Sequence, residues 1–74
     1  MKPTTAYGIN IKYSNTSGFE RLVTFDSYGI ARGAYEAILC SQEAKHATIE
    51  LEEITVLENG DFEYRVITQN VVQA

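Results

Sequence analysis

The residues that most often carry catalysis are scarce in this chain. His46 is its only histidine, and it stands between Lys45 and Ala47, where a predicted helix gives way to a predicted strand. A general base needs a nucleophile or an oriented carboxylate beside it, and no spacing around His46 supplies one. We therefore expect His46 to be an ordinary exposed loop histidine.

Cys40 is the only cysteine. It lies one turn from the expected end of the helix and near its apolar stripe, without a catalytic signature around it, so we expect a buried packing residue. A single cysteine excludes an intrachain disulfide, whereas a secreted domain of this size usually carries several. The composition therefore favours a reducing cytoplasm.

Carboxylates are concentrated in the second half of the chain. Six of them fall close together: Glu50, Glu52, Glu53, Glu58, Asp61 and Glu63. They lack the Asp-x-Asp-x-Asp-Gly spacing of calcium loops. No glycine-rich loop followed by Lys-Ser or Lys-Thr is present to hold phosphates. We predict no metal site, no cofactor and no enzymatic activity.

Size and charge narrow the classes of function. The 74 residues predict one small domain over 1–74, with little room for a ligand pocket of roughly 300–1,000 Å³. Residues 1–42 carry four bases against three acids, and residues 43–74 carry two against seven. The acidic half argues against direct binding to nucleic acid and to anionic lipid. No apolar run is long enough for a signal peptide or a membrane helix.

The first half predicts a hairpin followed by a helix. Apolar residues alternate with polar ones over Tyr7–Tyr13, a strand pattern, and Asn15–Gly18 supplies a turn. A second strand follows at Phe19–Phe25, where Arg21 interrupts the apolar face. Ser27 is the expected N-cap of a helix that runs from about Tyr28 to Gln42. Its apolar stripe comprises Ile30, Ala31, Ala34, Ala37 and Ile38, widened by Tyr35 and Leu39.

The second half predicts a hairpin of Thr48–Leu57 and Asp61–Thr68 around Asn59-Gly60. A two-residue turn would pair Glu58 with Asp61, so we prefer a three-residue loop with Gly60 left-handed. That loop predicts four cross-strand pairs: Val56 with Phe62, Ile54 with Tyr64, Thr55 with Glu63, and Glu53 with Arg65.

Farther from the turn, the apolar residues change sides and become Leu51 and Ile67. A strong twist or a β-bulge near Glu52-Glu53 would explain the change. Alternatively, these two residues form an apolar spot on the sheet face away from the helix, which Val71 and Val72 or a partner could cover.

The fold class predicted is α+β: β-β-α-β-β, an antiparallel sheet of two hairpins with one helix packed on one face. The hairpin, then Phe25-Asp26-Ser27 leading into a helix with Ala31, Tyr35, Ile38 and Leu39, then the acidic hairpin, resembles in layout the small accessory proteins of bacteriophages and other mobile elements. The resemblance implies an acidic, noncatalytic protein in the host cytoplasm. Many members inhibit host enzymes or defence systems.

The function predicted is a noncatalytic protein-binding module, a phage-type inhibitor or regulator of a host defence or nucleic-acid enzyme. The candidate contact residues are Glu52, Glu53, Glu58, Asp61 and Glu63 of the acidic hairpin, with Leu51 and Ile67. An acidic surface can also serve solubility alone. The alternative is a self-associating structural or ligand-sequestering protein, a homo-oligomer joined through open sheet edges or the Leu51 and Ile67 spot.

Overall fold

A computed structural model describes residues 4–15, 17–41 and 46–70. Its elements follow the predicted β-β-α-β-β order, which confirms the α+β fold class. They are β1 (Thr4–Tyr13), β2 (Glu20–Phe25), α1 (Tyr28–Leu39), β3 (Ala47–Val56) and β4 (Phe62–Asn70).

The four strands form one antiparallel sheet in the order β2-β1-β3-β4. Both predicted hairpins are present, and β1 also pairs with β3 along ten residues, from Thr4 opposite Val56 to Tyr13 opposite Ala47. The two central strands are therefore β1 and β3. The edges of the sheet are β2 and β4, whose outer backbone groups have no strand beside them among the described residues.

The helix begins where the sequence places its cap. Ser27 has an extended backbone, with φ −119°, and its Oγ accepts a hydrogen bond from the backbone N–H of Ile30 at 3.5 Å. This side-chain acceptor satisfies one of the free N–H groups of the first turn. The helix ends at Leu39, and the predicted end at Gln42 lies outside the described residues.

The helix packs on one face of the sheet, mainly against β1, β3 and β2. The buried core contains Ile9, Ile11, Ala31, Tyr35, Ala47, Ile49 and Leu51. The predicted stripe was wrong for Ile30, which is 62% exposed, and for Ala37. The buried side of the helix is centred on Ala31 and Tyr35, because turning the large Tyr35 ring inward removes more apolar surface from water than Ala37 could.

The second hairpin has the predicted three-residue loop. Gly60 has φ 91°, its N–H donates to the Leu57 carbonyl at 2.9 Å, and the Leu57 N–H donates to the Asp61 carbonyl at 2.8 Å. The positive φ explains why glycine suits this position. All four predicted cross-strand pairs are confirmed, including Glu53 opposite Arg65.

Two bulges interrupt the edge strands, one on either side of the level at which Ile9 pairs with Leu51. On β2 the pairing passes from Val23 to Arg21 and leaves out Leu22. On β4 it passes from Thr68 to Val66 and leaves out Ile67. A bulge is therefore present near Glu52, as one of the predicted explanations required, but β3 itself has none, so Leu51 and Ile54 lie on opposite faces. Because an extra residue reverses the alternation of a strand, each bulge moves the residues beyond it to the other face.

Candidate functional site

The sheet face opposite the helix, here called the open face, is the candidate functional surface. Alternation along the central strands places Gly8 and Asn10 of β1 on this face, opposite Glu52 and Glu50 of β3. Ile54 follows on β3 and is nearly buried. The open face therefore combines a polar half around Asn10 with an apolar half around Ile54.

The bulge at Leu22 brings Arg21 to the polar half. Regular alternation would have set Arg21 on the same face as Val23 and Phe25, which pack against the core beneath the helix. The shifted register instead places Arg21 opposite Asn10. The charged Arg21 side chain therefore lies on the face that carries the carboxylates, and not in the core.

The polar half is a connected hydrogen-bond network. The Asn10 amide Nδ2 donates to Oε1 of Glu50 at 2.8 Å and to Oε1 of Glu52 at 2.9 Å. Arg21 donates through Nε to Oδ1 of Asn10 and through Nη2 to Oε1 of Glu52, forming an ion pair. Gln69 donates to Oε2 of Glu50 at 3.2 Å.

The polar side chains of this network satisfy one another's hydrogen bonds. Asn10, Glu50 and Glu52 are buried, and among the described residues no buried side-chain nitrogen or oxygen lacks a hydrogen-bond partner. Buried polar groups are tolerated when they are satisfied in this way. The network joins the central strands to β2 through Arg21.

The apolar half of the open face is exposed at the sheet edge. Phe62, Tyr64 and Val66 of β4, here called the apolar row, are 57%, 60% and 50% exposed. The rings of Phe62 and Tyr64 stack with centroids 6.3 Å apart. Because α1 lies on the opposite face, no described element covers this row. Tyr64 therefore lies outside the buried core.

The other face of the β3–β4 hairpin carries charge. Nη2 of Arg65 donates to Oε2 of Glu53 at 3.3 Å, with the Arg65 side chain largely exposed. Glu63 lies on the same face opposite Thr55 and has no ion pair among the described residues. These four residues and Tyr64 line a shallow, open depression of about 400 Å³.

The tip of this hairpin is acidic and exposed. Glu58 and Asp61 both face solvent. Asn59 ties Asp61 in place, since its Oδ1 accepts from the Asp61 N–H and its Nδ2 donates to Asp61 Oδ2, both at 3.0 Å. Because both side chains are exposed, the carboxylates of the tip are accessible to a partner.

The structure divides the predicted contact residues among different surfaces. Glu53 and Glu63 lie on the helix side of the hairpin, Glu58 and Asp61 lie at its tip, and Glu52 is buried on the open face. They do not form one acidic patch, because successive strand residues point to opposite faces.

The predicted apolar spot of Leu51 and Ile67 on the open face was wrong. Leu51 is fully buried beneath the helix, and Ile67 packs against the same core. The apolar residues nearer the turn occupy the open face instead. The prediction that Val71 and Val72 cover such a spot falls outside the described residues.

Arg21, Asn10 and the apolar row were not predicted from the sequence as parts of this surface. Two features of the sequence could have predicted their positions. Asn10 is a polar residue flanked by Ile9 and Ile11, so it must face away from the core. A single 12-residue helix covers only one sheet face, so apolar residues on both faces leave one set exposed.

The two residues considered for catalysis are both exposed. His46 is exposed next to β3, as expected. Cys40 caps the C-terminus of the helix and is also exposed, so the prediction of a buried cysteine was wrong. Over the described ranges, no group of three or more His, Cys, Asp or Glu side chains is arranged to hold a metal ion.

Comparison with protein-family models, curated proteins and solved structures finds no match to this chain. Across residues 4–15, 17–41 and 46–70, no helix has the length and apolar character needed to cross a membrane.

Proposed function

We propose that this chain is a noncatalytic protein-binding module that inhibits or regulates another protein. The apolar row carries the proposal, because it presents two stacked aromatic rings and a valine on a face that no described element covers. Exposed apolar patches on small proteins commonly mark interaction sites. Aromatic side chains also supply a large share of binding energy at protein interfaces.

The charge beside the apolar row defines the partner's chemistry. Glu58 and Asp61 lie at the hairpin tip, shortly before Phe62 in the chain, and both are exposed. A matching partner surface has an apolar centre and Lys or Arg at its rim, since complementary charge steers association and fixes register. Proteins that hold nucleic acid carry such basic surfaces.

The finer prediction, a phage-type inhibitor of a host defence or nucleic-acid enzyme, is kept as part of this proposal. Its support is the match between the acidic hairpin tip and the basic surface of such an enzyme. The proposed contact residues are now Phe62, Tyr64 and Val66, together with Glu58 and Asp61. Leu51 and Glu52 are removed from the contact set because both are buried, and Ile67 because it packs against the core. Glu53 and Glu63 are removed because they lie on the face opposite the apolar row.

Affinity capture with matched variants tests the proposal. Tagged chain is incubated with bacterial lysate at low and raised salt, and recovered proteins are identified and quantified by mass spectrometry. Glu58→Lys/Asp61→Lys reverses the tip charge. Glu20→Lys/Asp26→Lys makes the same change in net charge at exposed positions on and beside the opposite edge strand. Circular dichroism verifies that each variant is folded.

The expected result is one protein recovered in stoichiometric amount, lost as salt rises and lost with Glu58→Lys/Asp61→Lys, but retained with the control. A captured protein that both variants lose equally would show a response to net charge alone and would remove the hairpin tip from the site. Recovery of no protein beyond the tagged chain would contradict the inhibitor proposal for that cell type.

A further inference from the structure

We infer that the free edge of β4 pairs with β4 of a second copy of this chain, antiparallel and about a two-fold axis at Tyr64. The inference concerns the chain itself and does not depend on the partner proposed above. It rests on which backbone groups face outward, on the order of residues in Phe62–Val66, and on the charge of Glu63, which has no ion pair among the described residues.

The hairpin register fixes the outward groups of β4. The Leu57 N–H donates to the Asp61 carbonyl, and in an antiparallel ladder the backbone groups of successive residues alternate in direction. Glu63 and Arg65 therefore bond toward β3, and Phe62, Tyr64 and Val66 direct their N–H and C=O groups away from the sheet. An unpaired edge of this kind is a template for another strand.

The sequence of this edge is self-complementary. A two-fold axis at Tyr64 sets Phe62 opposite Val66 of the second copy, and Tyr64 opposite Tyr64. On the other face it sets Glu63 opposite Arg65 of the second copy, and the same pair forms again by symmetry. Aromatic, aromatic–β-branched and opposite-charge pairs are the combinations that stabilise neighbouring antiparallel strands. About six backbone hydrogen bonds would join the two strands.

The ion pair between Glu63 and Arg65 of the two copies would add to an ion pair that each chain already contains. Arg65 contacts Glu53 of its own chain at 3.3 Å, yet its side chain is 72% exposed. Glu63 has no ion pair within the described part of the chain. Pairing places each Arg65 between Glu53 of its own chain and Glu63 of the second copy.

The opposite edge strand lacks this property. In β2, a two-fold axis at the middle of the strand sets Arg21 opposite Thr24 or Val23, and it brings no opposite charges together. Arg21 is also held in its own chain by Glu52. Charge complementarity therefore favours the edge of β4, and not that of β2, as the place where a second copy of this chain pairs.

The paired sheets would keep the apolar row exposed, since its side chains point to the open face while its backbone forms the junction. The two apolar rows then adjoin across the axis. The resulting eight-stranded sheet presents one continuous patch twice the size of that on a single chain.

Light scattering coupled to size-exclusion chromatography over a range of protein concentrations tests the pairing. The unaltered chain is expected to run with the mass of a dimer. Glu63→Arg and Arg65→Glu each create like-charge pairs at both symmetric positions, and each is expected to weaken the dimer at least tenfold. An equimolar mixture of these two variants restores opposite charges at both positions and is expected to regain dimer mass.

Glu20→Arg, on the other edge, is the control and should leave the mass unchanged. Amide hydrogen exchange of the unaltered chain gives a second readout that needs no variant. Dimerisation should slow exchange at Phe62, Tyr64 and Val66, whose N–H groups would otherwise face water. A monomeric mass at every concentration, a dimer in which these three amides exchange rapidly, or a mixture that stays monomeric would overturn the inference.

Discussion

The guanidinium group of Arg21 lies directly against the backbone of Gly8, so that a Cβ atom at Gly8 would stand 2.7 Å from Cζ of Arg21. Arg21 belongs to the edge strand β2, and Gly8 belongs to the central strand β1. The missing side chain at Gly8 gives the cation a path across β1 to Glu52 on β3. The absence of a side chain at Gly8 thereby allows Arg21 to connect β2 with β1 and β3.

This contact predicts that Gly8→Ala and Arg21→Ala are not additive. In the unaltered chain, Gly8→Ala should lower the free energy of unfolding by about 1–2 kcal/mol, because the new methyl group displaces the guanidinium from Glu52 and Asn10. With Arg21→Ala already present, the space is empty and Gly8→Ala should be neutral or slightly stabilising. Urea denaturation of the four proteins measures the coupling.

The single variant Arg21→Ala, which is one of these four proteins, serves as the control. Arg21→Ala alone should cost about 1–2 kcal/mol, less than a fully buried pair would, since the arginine side chain is partly exposed. Two costs that simply add within about 0.3–0.5 kcal/mol would mean that Gly8 does not provide space for Arg21.

Local signals in the sequence were sufficient to predict much of this fold. Ser27 begins the helix because its hydroxyl can accept a backbone N–H, and Gly60 fixes the hairpin register because it accepts a positive φ. Such features depend on neighbouring residues alone. The order of the strands depends on pairing across the chain, and the layout alone did not specify that β1 lies beside β3.

The candidate site was harder to predict because two bulges determine its composition. Leaving out Leu22 moves Arg21 to the open face, and leaving out Ile67 moves Gln69 to that face, opposite Glu50. A bulge was expected on one hairpin, but the side of the sheet that the helix covers was not fixed by it. The choice follows from burial: Leu51 and Ile49 adjoin Ile9 and Ile11 on one continuous apolar face.

Truncation to alanine should cost much more stability at Leu51 than at Ile30. Leu51→Ala should lower the free energy of unfolding by about 2–5 kcal/mol, because the side chain is fully buried and its removal leaves a cavity. Ile30→Ala should change stability by no more than about 0.5 kcal/mol, since Ile30 is exposed and alanine favours the helix. Thermal and urea unfolding provide the comparison, and equal costs at the two sites would contradict the packing described above.

Cys40 should react with a thiol reagent in the folded protein. The side chain is exposed at the end of α1, so the native rate with a maleimide should fall within about tenfold of the rate for the urea-unfolded chain. Cys40→Ser should abolish labelling and leave the unfolding transition nearly unchanged. Labelling that occurs only after unfolding would mean that the thiol is buried in solution.

Gly33 and Gly60 are expected to give opposite results when replaced by alanine. Gly33 lies in the helix interior with no atom within 4 Å of the position a Cβ would take, so Gly33→Ala should raise the free energy of unfolding by about 0.5–1 kcal/mol. Gly60 has no neighbour within that distance either, but its φ is 91°. Gly60→Ala should therefore lower stability by about 1 kcal/mol or more through backbone strain.

Because added methyl groups at both glycines enter open space, packing cannot explain a difference between them. Only the backbone conformation differs, helical at Gly33 and left-handed at Gly60. Urea denaturation of the two single variants measures the contrast directly. A stabilising Gly60→Ala would argue against the left-handed three-residue loop, and with it against the register that sets Phe62, Tyr64 and Val66 along the outer edge of β4.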